Sequence, residues 1–307
     1  MAVPLERITK FVQSVEPSAT LDTTHYTFDN IVALYVTPDG SYQGLIAKAP
    51  LDENPVRKRA VSKEAEALLS FQSRSNDKSR YKVPNLIAYS HTMPLLVEQR
   101  LFGPTVLEKI KSDKIELSQA VNDMFSWTDY FHGAKERTSY TVSQTQSWKE
   151  FMERLKLDIA RSASRDLINL GKAVEDYGRK QGSSDRAYLH GDNSPIHIFY
   201  EPSTQGQSDL YGIDFNGSRW GIADEDLGSL VSNTYFHFSD LLPQRQIVES
   251  LENALNRYAV DKNNAGFYIA KSFYDKARMA DEPQKSRFLG IAMKSLANKF
   301  HSEYLLQ

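Results

Sequence analysis

The chain has 307 residues with an ordinary globular composition, 40% hydrophobic and 25% charged, and a formal net charge of −2, so no global basic field marks it for nucleic acid. It contains no cysteine, which excludes disulfides, thiolate nucleophiles and Cys-type zinc sites. The opening stretch MAVPLERITKFVQSVEP lacks the apolar centre of a signal peptide, and no apolar run approaches the roughly 18 residues of a membrane span; a cytoplasmic protein working without membrane or nucleic acid is the expectation.

Taken in order, Leu5, Ile8, Phe11, Val12 and Val15 have helical spacing. Ile31–Val36 and Tyr42–Ala47 are β-rich runs around the turn Thr37-Pro38-Asp39-Gly40, which predicts a hairpin ending in Lys48. Pro50–Arg59 is polar and carries two prolines, a loop signal; Ser62 then opens a helix over Lys63–Phe71, rich in good helix formers. After a polar loop over Ser73–Lys82, Leu86–Tyr89 and Leu95–Glu98 read as strands, and Phe102-Gly103-Pro104 breaks the pattern.

Beyond that break the spacing predicts helices over Leu117–Phe131, Trp148–Lys180 with an interruption near Ser162–Ser164, Ile247–Tyr258, Phe267–Met279 and Lys285–Tyr304. Embedded among them are three short apolar runs, Ala187–Leu189, Ile196–Tyr200 and Leu210–Ile213. The expected organisation is α+β: a β-rich part over 1–98 with one central helix, a hinge over 99–103, and a larger mainly helical part over 104–307.

Two carboxylates follow the embedded strands, Asp192 in His190-Gly191-Asp192 and Asp214 in Ile213-Asp214-Phe215. Each alone reads equally as a turn residue with a local hydrogen bond. Two strand-end carboxylates brought together by a hairpin could instead serve a metal ion and a general base.

The ordered set Lys48, Glu64, Glu98, His190-Gly191-Asp192, Ile213-Asp214-Phe215 and Asp226-Leu227-Gly228 resembles the aminoglycoside phosphotransferase and choline kinase-like family over about Thr27 to Leu230. The resemblance implies a protein-kinase-like two-lobe fold, with a small β-rich N-lobe and a larger mainly helical C-lobe. It implies that Lys48 contacts nucleotide phosphates and that a helix glutamate aims it, Glu64 before Glu66, with Lys63 where the family carries arginine. The backbone of Glu98, Gln99 and Arg100 would face the nucleotide base. Asp192 would orient or deprotonate the attacking hydroxyl, Asp214 would hold Mg²⁺, and His190 and Asp226 would support the loop. Asp226 is also a plausible helix N-cap, and His132 is read as a packed residue.

The sequence departs from the family pattern at two places. Five residues after Asp192, where the family has asparagine, stands His197. Mg²⁺ prefers oxygen, so His197 either ligates a softer ion such as Mn²⁺, or donates a hydrogen bond while Asn193 or Asn216 supplies an amide oxygen, or marks a lost metal position. The stretch Asp22–Asn30 also lacks the glycines that let amides approach phosphates; Thr23, Thr24, Thr27 or Asn30 would have to serve instead, and Asp29 must point away.

The expected function is therefore transfer of the γ-phosphoryl group of ATP or GTP, with Mg²⁺ or Mn²⁺, to a hydroxyl of a small molecule. A catalytically impaired nucleotide-binding or interaction module is the alternative. The acceptor and the oligomeric state are not legible. Asp224, Glu225 and Asp240 are the acidic candidates for a cationic acceptor. Tyr235, Phe236, Phe238, Phe267, Tyr268, Phe273 and Tyr274 are the aromatic ones, although aromatics at such spacing are usually helix core.

Overall fold

The computed structural model describes residues 3–27, 29–38, 43–73, 79–162, 164–203, 207–258 and 262–297. Asp39, Gly40 and Tyr42 of the expected hairpin, and the expected tail helix after 297, lie outside the described residues. The chain divides into two compact units, residues 1–106 with 196–219, and residues 107–195 with 220–307. The linear division read from sequence leaves 196–219 with the helical part; its contacts place it in the strand-rich unit.

The chain begins with α1 (Leu5–Val15), then β1 (Thr20–Tyr26), β2 (Asn30–Val36) and β3 (Gly44–Pro50). Ile8 and Val12 of α1 are buried against Ile31, Ala33, Tyr35, Leu45, Ala47 and Val97 of the sheet, each fully buried aliphatic contributing roughly 1.5–3 kcal/mol. Next comes α2 (Pro55–Gln72), then β4 (Tyr81–Lys82), β5 (Leu86–Ser90) and β6 (Leu95–Gln99). The helix starts eight residues before the expected Lys63, inside the predicted loop. The Asn54 side chain accepts from the Val56 amide at 2.9 Å, and Pro55 occupies the first turn. A proline there loses no helical hydrogen bond, so the residue read as a breaker is a starter.

α3 (Val106–Lys111) and α4 (Leu117–His132) open the helical part. β7 (Glu136–Thr141), α5 (Gln146–Ser162), α6 (Arg165–Gly178) and β8 (Gln181–Leu189) follow. β9 (Ile198–Glu201) and β10 (Asp209–Gly212) come next, then β11 (Arg219–Ile222), α7 (Asp224–Phe238), α8 (Gln244–Tyr258), α9 (Lys262–Met279) and α10 (Gln284–Leu296). The interrupted helix expected over 148–180 is the pair α5 and α6.

Three sheets form: β1-β2-β3-β6-β5, β4-β10-β9 and β11-β8-β7. In the first, β3 is interior, with Lys48 opposite Val32 on one side and Leu96 on the other. The second lies within the strand-rich unit and joins residues 81–82 to 196–219, β10 pairing parallel with β4 and antiparallel with β9. The β7–β8 hairpin pairs Glu136–Thr141 with Arg186–Gln181 and was missed in sequence because both strands are mostly polar. No helix among the described residues is long and apolar enough to cross a membrane.

Candidate active site

The strand-rich unit organises itself around Lys48. Its ammonium donates to Glu64 Oε1 and also lies 2.7 Å from Glu98 Oε1. All three side chains are buried. Glu64 is aimed by helix spacing: Val61, Glu64, Ala65, Leu68 and Phe71 form the buried face of α2, and Glu66 is exposed. Glu98 is aimed by sheet register. Lys48 faces Leu96, Ile46 faces Glu98, and alternate residues of a strand share a face. Burial opposes the Lys48 charge, but the carboxylates of Glu64, Glu98 and Asp214 outweigh it and hold the ammonium above the ordinary lysine range. Burial pushes the Glu64 carboxyl up to about 7, against the pull of Lys48. A lone lysine thus serves two buried carboxylates.

Asp214 follows β10 with φ 65° and ψ 61°, the left-handed region, where Asp is among the few tolerated side chains. The β9–β10 pairing continues one step past Ile198 opposite Gly212, through the Ile213 amide to the His197 carbonyl at 2.9 Å. That step sets the His197 imidazole Nε2 3.6 Å from Asp214 Oδ2, a charge contact longer than a hydrogen bond. A carboxylate turned out of a strand end in this way is the hard oxygen donor that Mg²⁺ requires, while the imidazole beside it is a softer donor.

The β1–β2 turn holds itself together. The Thr27 hydroxyl and amide both donate to the Asn30 carbonyl, at 3.1 and 2.9 Å, and the Asn30 amide donates to Thr27 Oγ1 at 2.9 Å. Thr27 is thereby committed to the turn. Asp29 is neutralised by the Arg57 guanidinium, Nε to Oδ1 3.2 Å.

The linker after β6 ties two of its amides into the sheet. The Gln99 amide donates to the Asn85 carbonyl and the Arg100 amide to the Gly44 carbonyl, both at 2.9 Å, so neither is available to a base. Phe102 and Gly103 amides both donate to Glu201 Oε1, at 2.6 and 2.7 Å. Leu101 is the linker residue whose amide has no partner among the described residues. Glu98 acts through its side chain on Lys48. The sequence missed Leu101 and Glu201 because linker hydrogen bonding carries no residue-type signal.

In the helical unit the organising group is Asp226. It lies within the first turn of α7, three residues past Ala223, which occupies the cap position. Its carboxylate accepts from the His190 amide at 2.7 Å, the Gly191 amide at 2.8 Å and His132 Nε2 at 2.9 Å. Burial opposes its charge, but the bond and charge of His132, with His190 and the Gly191 amide, hold the carboxyl below its ordinary range. His190 packs edge-on against Trp127 and Phe131, the structural role expected of it. Gly191 has φ 91°, which only glycine adopts without strain. The chain then turns Asp192 outward, exposed.

Asn233 of α7 clamps the far side of this loop, donating to the Asn193 carbonyl at 2.5 Å and lying 3.5 Å from Asp192 Oδ1. Asn193 itself is fully buried and donates to Thr128 Oγ1 at 3.2 Å. It is packed beneath the loop, and its amide oxygen is buried with no hydrogen-bond partner among the described residues. Asn233 was missed; a buried amide among apolar α7 neighbours was the available signal.

Of the aromatic candidates, Tyr235, Phe238, Phe267, Tyr268, Phe273 and Tyr274 are core residues, and Phe236 alone is exposed, at 40%. Asp224 is buried, Asp240 exposed.

The sequence matches no protein-family model and no curated protein. Solved structures do resemble it. Aminoglycoside 2'-phosphotransferase-IIIa in its GDP complex superposes with a TM-score of 0.55 at 13% identity, over 95% of this chain and 98% of that one. Choline kinase from Cryptosporidium parvum gives 0.53 at 12% identity, over 99% and 95%. Glucosamine kinase gives 0.50 at 11% identity, over 91% and 94%. The chain therefore has the protein-kinase-like two-lobe α+β fold expected from its ordered motifs.

Proposed function

We propose that the chain is a small-molecule phosphotransferase that moves the γ-phosphoryl group of a nucleoside triphosphate to an alcohol. The observation that carries this reading is the buried Lys48, aimed by Glu64 at 2.7 Å and feeling the Asp214 charge. A lysine fixed in an interior strand with its charge assured is a phosphate-binding group, since structural lysines are rarely buried. The fold shared with aminoglycoside phosphotransferase and choline kinase supports the same reading.

The Leu101 amide is the donor for the nucleotide base. Asp214, with His197 beside it, would hold Mg²⁺, which when bound neutralises phosphate charge. Asp192 receives the acceptor hydroxyl. The hydroxyl oxygen bonds to the γ-phosphorus, the bond from that phosphorus to the β,γ-bridging oxygen breaks, and the nucleoside diphosphate leaves. The hydroxyl proton passes to the Asp192 carboxylate and then to water. The protein contributes position and charge to this step, which is most of what phosphoryl transfer needs.

A triphosphate-consumption assay tests the reading. Turnover that depends on an added alcohol and disappears in Asp192→Asn and Asp214→Asn supports it. Full turnover in both variants overturns the mechanism. Absence of any thermal stabilisation by millimolar Mg²⁺-ATP or Mg²⁺-GTP would favour the impaired-module alternative, because specific binding to the native state must stabilise it.

A further inference from the structure

The acceptor side of Asp192 carries a cation. Asn233 lies 3.5 Å from Asp192 Oδ1. Phe236 stands three residues further along α7, on the same helical side. Over the Phe236 ring, 5.2 Å from its centroid, sits the ammonium of Lys276 from α9. All four residues belong to the helical unit. Among the described residues no carboxylate lies within ion-pair distance of Lys276. Its sequence neighbour Asp275 is engaged instead by Arg154 at 2.9 Å and Lys271 at 3.4 Å. Lys276 is half-buried; burial lowers its affinity for a proton, and the charges of Asp192 and Asp275 work the other way. It is a partly desolvated cation, and such a group gains more from an incoming anion than a solvated one does.

The same arrangement removes the usual reception for a cationic acceptor. Phe236 is the exposed member of the aromatic set, and Lys276 already sits over this ring, placing a like charge where a quaternary or primary ammonium would be drawn by cation–π attraction.

Resting on the phosphotransferase reading above, we infer that Lys276 binds an anionic group, a carboxylate or a phosphate monoester, carried by the acceptor alcohol near the hydroxyl that Asp192 receives. Lys276 is then a specificity residue. An anionic acceptor is repelled by Asp192, and the Lys276 cation over Phe236 offsets that repulsion. A cationic acceptor is repelled by Lys276 where it would approach the Phe236 ring.

The test uses four three-carbon alcohols with Mg²⁺-ATP and Mg²⁺-GTP: glycerol, 3-amino-1,2-propanediol, glycerate and glycerol 3-phosphate. The wild type is compared with Lys276→Met, Lys276→Arg and Asp192→Asn. Turnover is expected to be best with glycerate or glycerol 3-phosphate, and which of the two is better separates carboxylate from phosphate. Lys276→Met should raise KM for the anionic acceptor at least tenfold while kcat stays within threefold, and Lys276→Arg should restore most of the loss. A preference for the amino compound, or an unchanged KM in Lys276→Met, overturns the inference and leaves the phosphotransferase reading standing. So does a kcat loss equal for all acceptors, which would mean that Lys276 acts on Asp192. Nucleotide binding with turnover of none of the four also overturns it. Absence of both binding and turnover removes the phosphotransferase reading as well. A thermal melt of each variant separates misfolding from these outcomes.

Discussion

The Lys48 ammonium stands 2.7 Å from a carboxylate oxygen of Glu98, as close as it stands to Glu64. One buried cation thus answers two buried anions, with the Asp214 charge also acting on it. The cluster carries an excess of negative charge in a poorly solvated place, and it must receive a polyphosphate if the proposed function holds. The second oxygen of Glu98 is buried and has no hydrogen-bond partner among the described residues.

Glu98→Gln should therefore tighten nucleotide binding. The substitution preserves shape and leaves the Lys48–Glu64 pair in place. A unit charge about 6 Å from a phosphate is worth on the order of 1–3 kcal/mol at an effective dielectric near 20, so a roughly tenfold fall in Kd for Mg²⁺-nucleotide is expected by isothermal titration. Weaker binding with an unchanged melting temperature would show that Glu98 positions Lys48 rather than competing for it.

Glu64 gives the cluster a pH signature. Its carboxyl is raised from 4.5 to about 7 by burial, so between those values the native state holds a proton that the unfolded chain has released. Stability from this group is complete below pH 4.5 and falls as pH rises to 7. Glu64→Gln has no proton to lose there. The stability of the wild type relative to Glu64→Gln should drop by on the order of 2–3 kcal/mol from pH 4.5 to pH 8, read from urea midpoints at the two pH values. A pH-independent difference would refute the raised carboxyl.

The legible parts of the molecule are those where chemistry and period coincide. α4, α8 and α9 announce themselves by apolar spacing, and β5, β6, β9 and β10 by compact apolar runs. Lys48, Glu64, Asp192, Asp214 and Asp226 were singled out through their order along the chain. Glu98 was singled out for its backbone, while its side chain lies 2.7 Å from Lys48. Its side-chain role follows from the register that sets Ile46 opposite Glu98, and register is a pairing between distant segments that no local window contains. The same holds for Lys276, which meets Phe236 only because α7 packs on α9. β1 and β7 escaped notice because their side chains are largely exposed or half-exposed, so they leave no hydrophobic alternation to read.

Asp226→Ala is expected to cost about 3–5 kcal/mol, since it strands the His190 and Gly191 amides and the His132 imidazole without an acceptor. Asp226→Asn keeps one oxygen and should cost less. Because the folded carboxyl lies below its ordinary 3.8, its contribution is present above that pH and is lost as pH falls through the depressed value. Denaturation curves for both variants at pH 7 check the ranking. Equal stability of Asp226→Ala and wild type would remove Asp226 from its bracing role.

Gly103 is the most sharply constrained position in the linker. A Cβ there would lie 1.9 Å from the Tyr200 carbonyl oxygen and 2.8 Å from its carbon, so an alanine cannot be relieved by rotating a side chain and the backbone must part. The parting breaks the bond from the Gly103 amide to Glu201 at 2.7 Å, and loosens those from the Phe102 amide to Glu201 at 2.6 Å and from the Tyr200 amide to the Pro104 carbonyl at 2.9 Å. Overpacking plus lost hydrogen bonds places the cost of Gly103→Ala at about 3 kcal/mol. Glu201→Gln offers a contrast, because its amide oxygen can still accept both linker amides; it should cost under about 1 kcal/mol. The linker also carries the Leu101 amide, the proposed donor to the base, so Gly103→Ala should weaken nucleotide binding while Glu201→Gln does not. Urea denaturation with nucleotide titration on both variants decides it: a Gly103→Ala protein of wild-type stability and wild-type affinity would mean that the linker accommodates the methyl group by a path the native packing does not show.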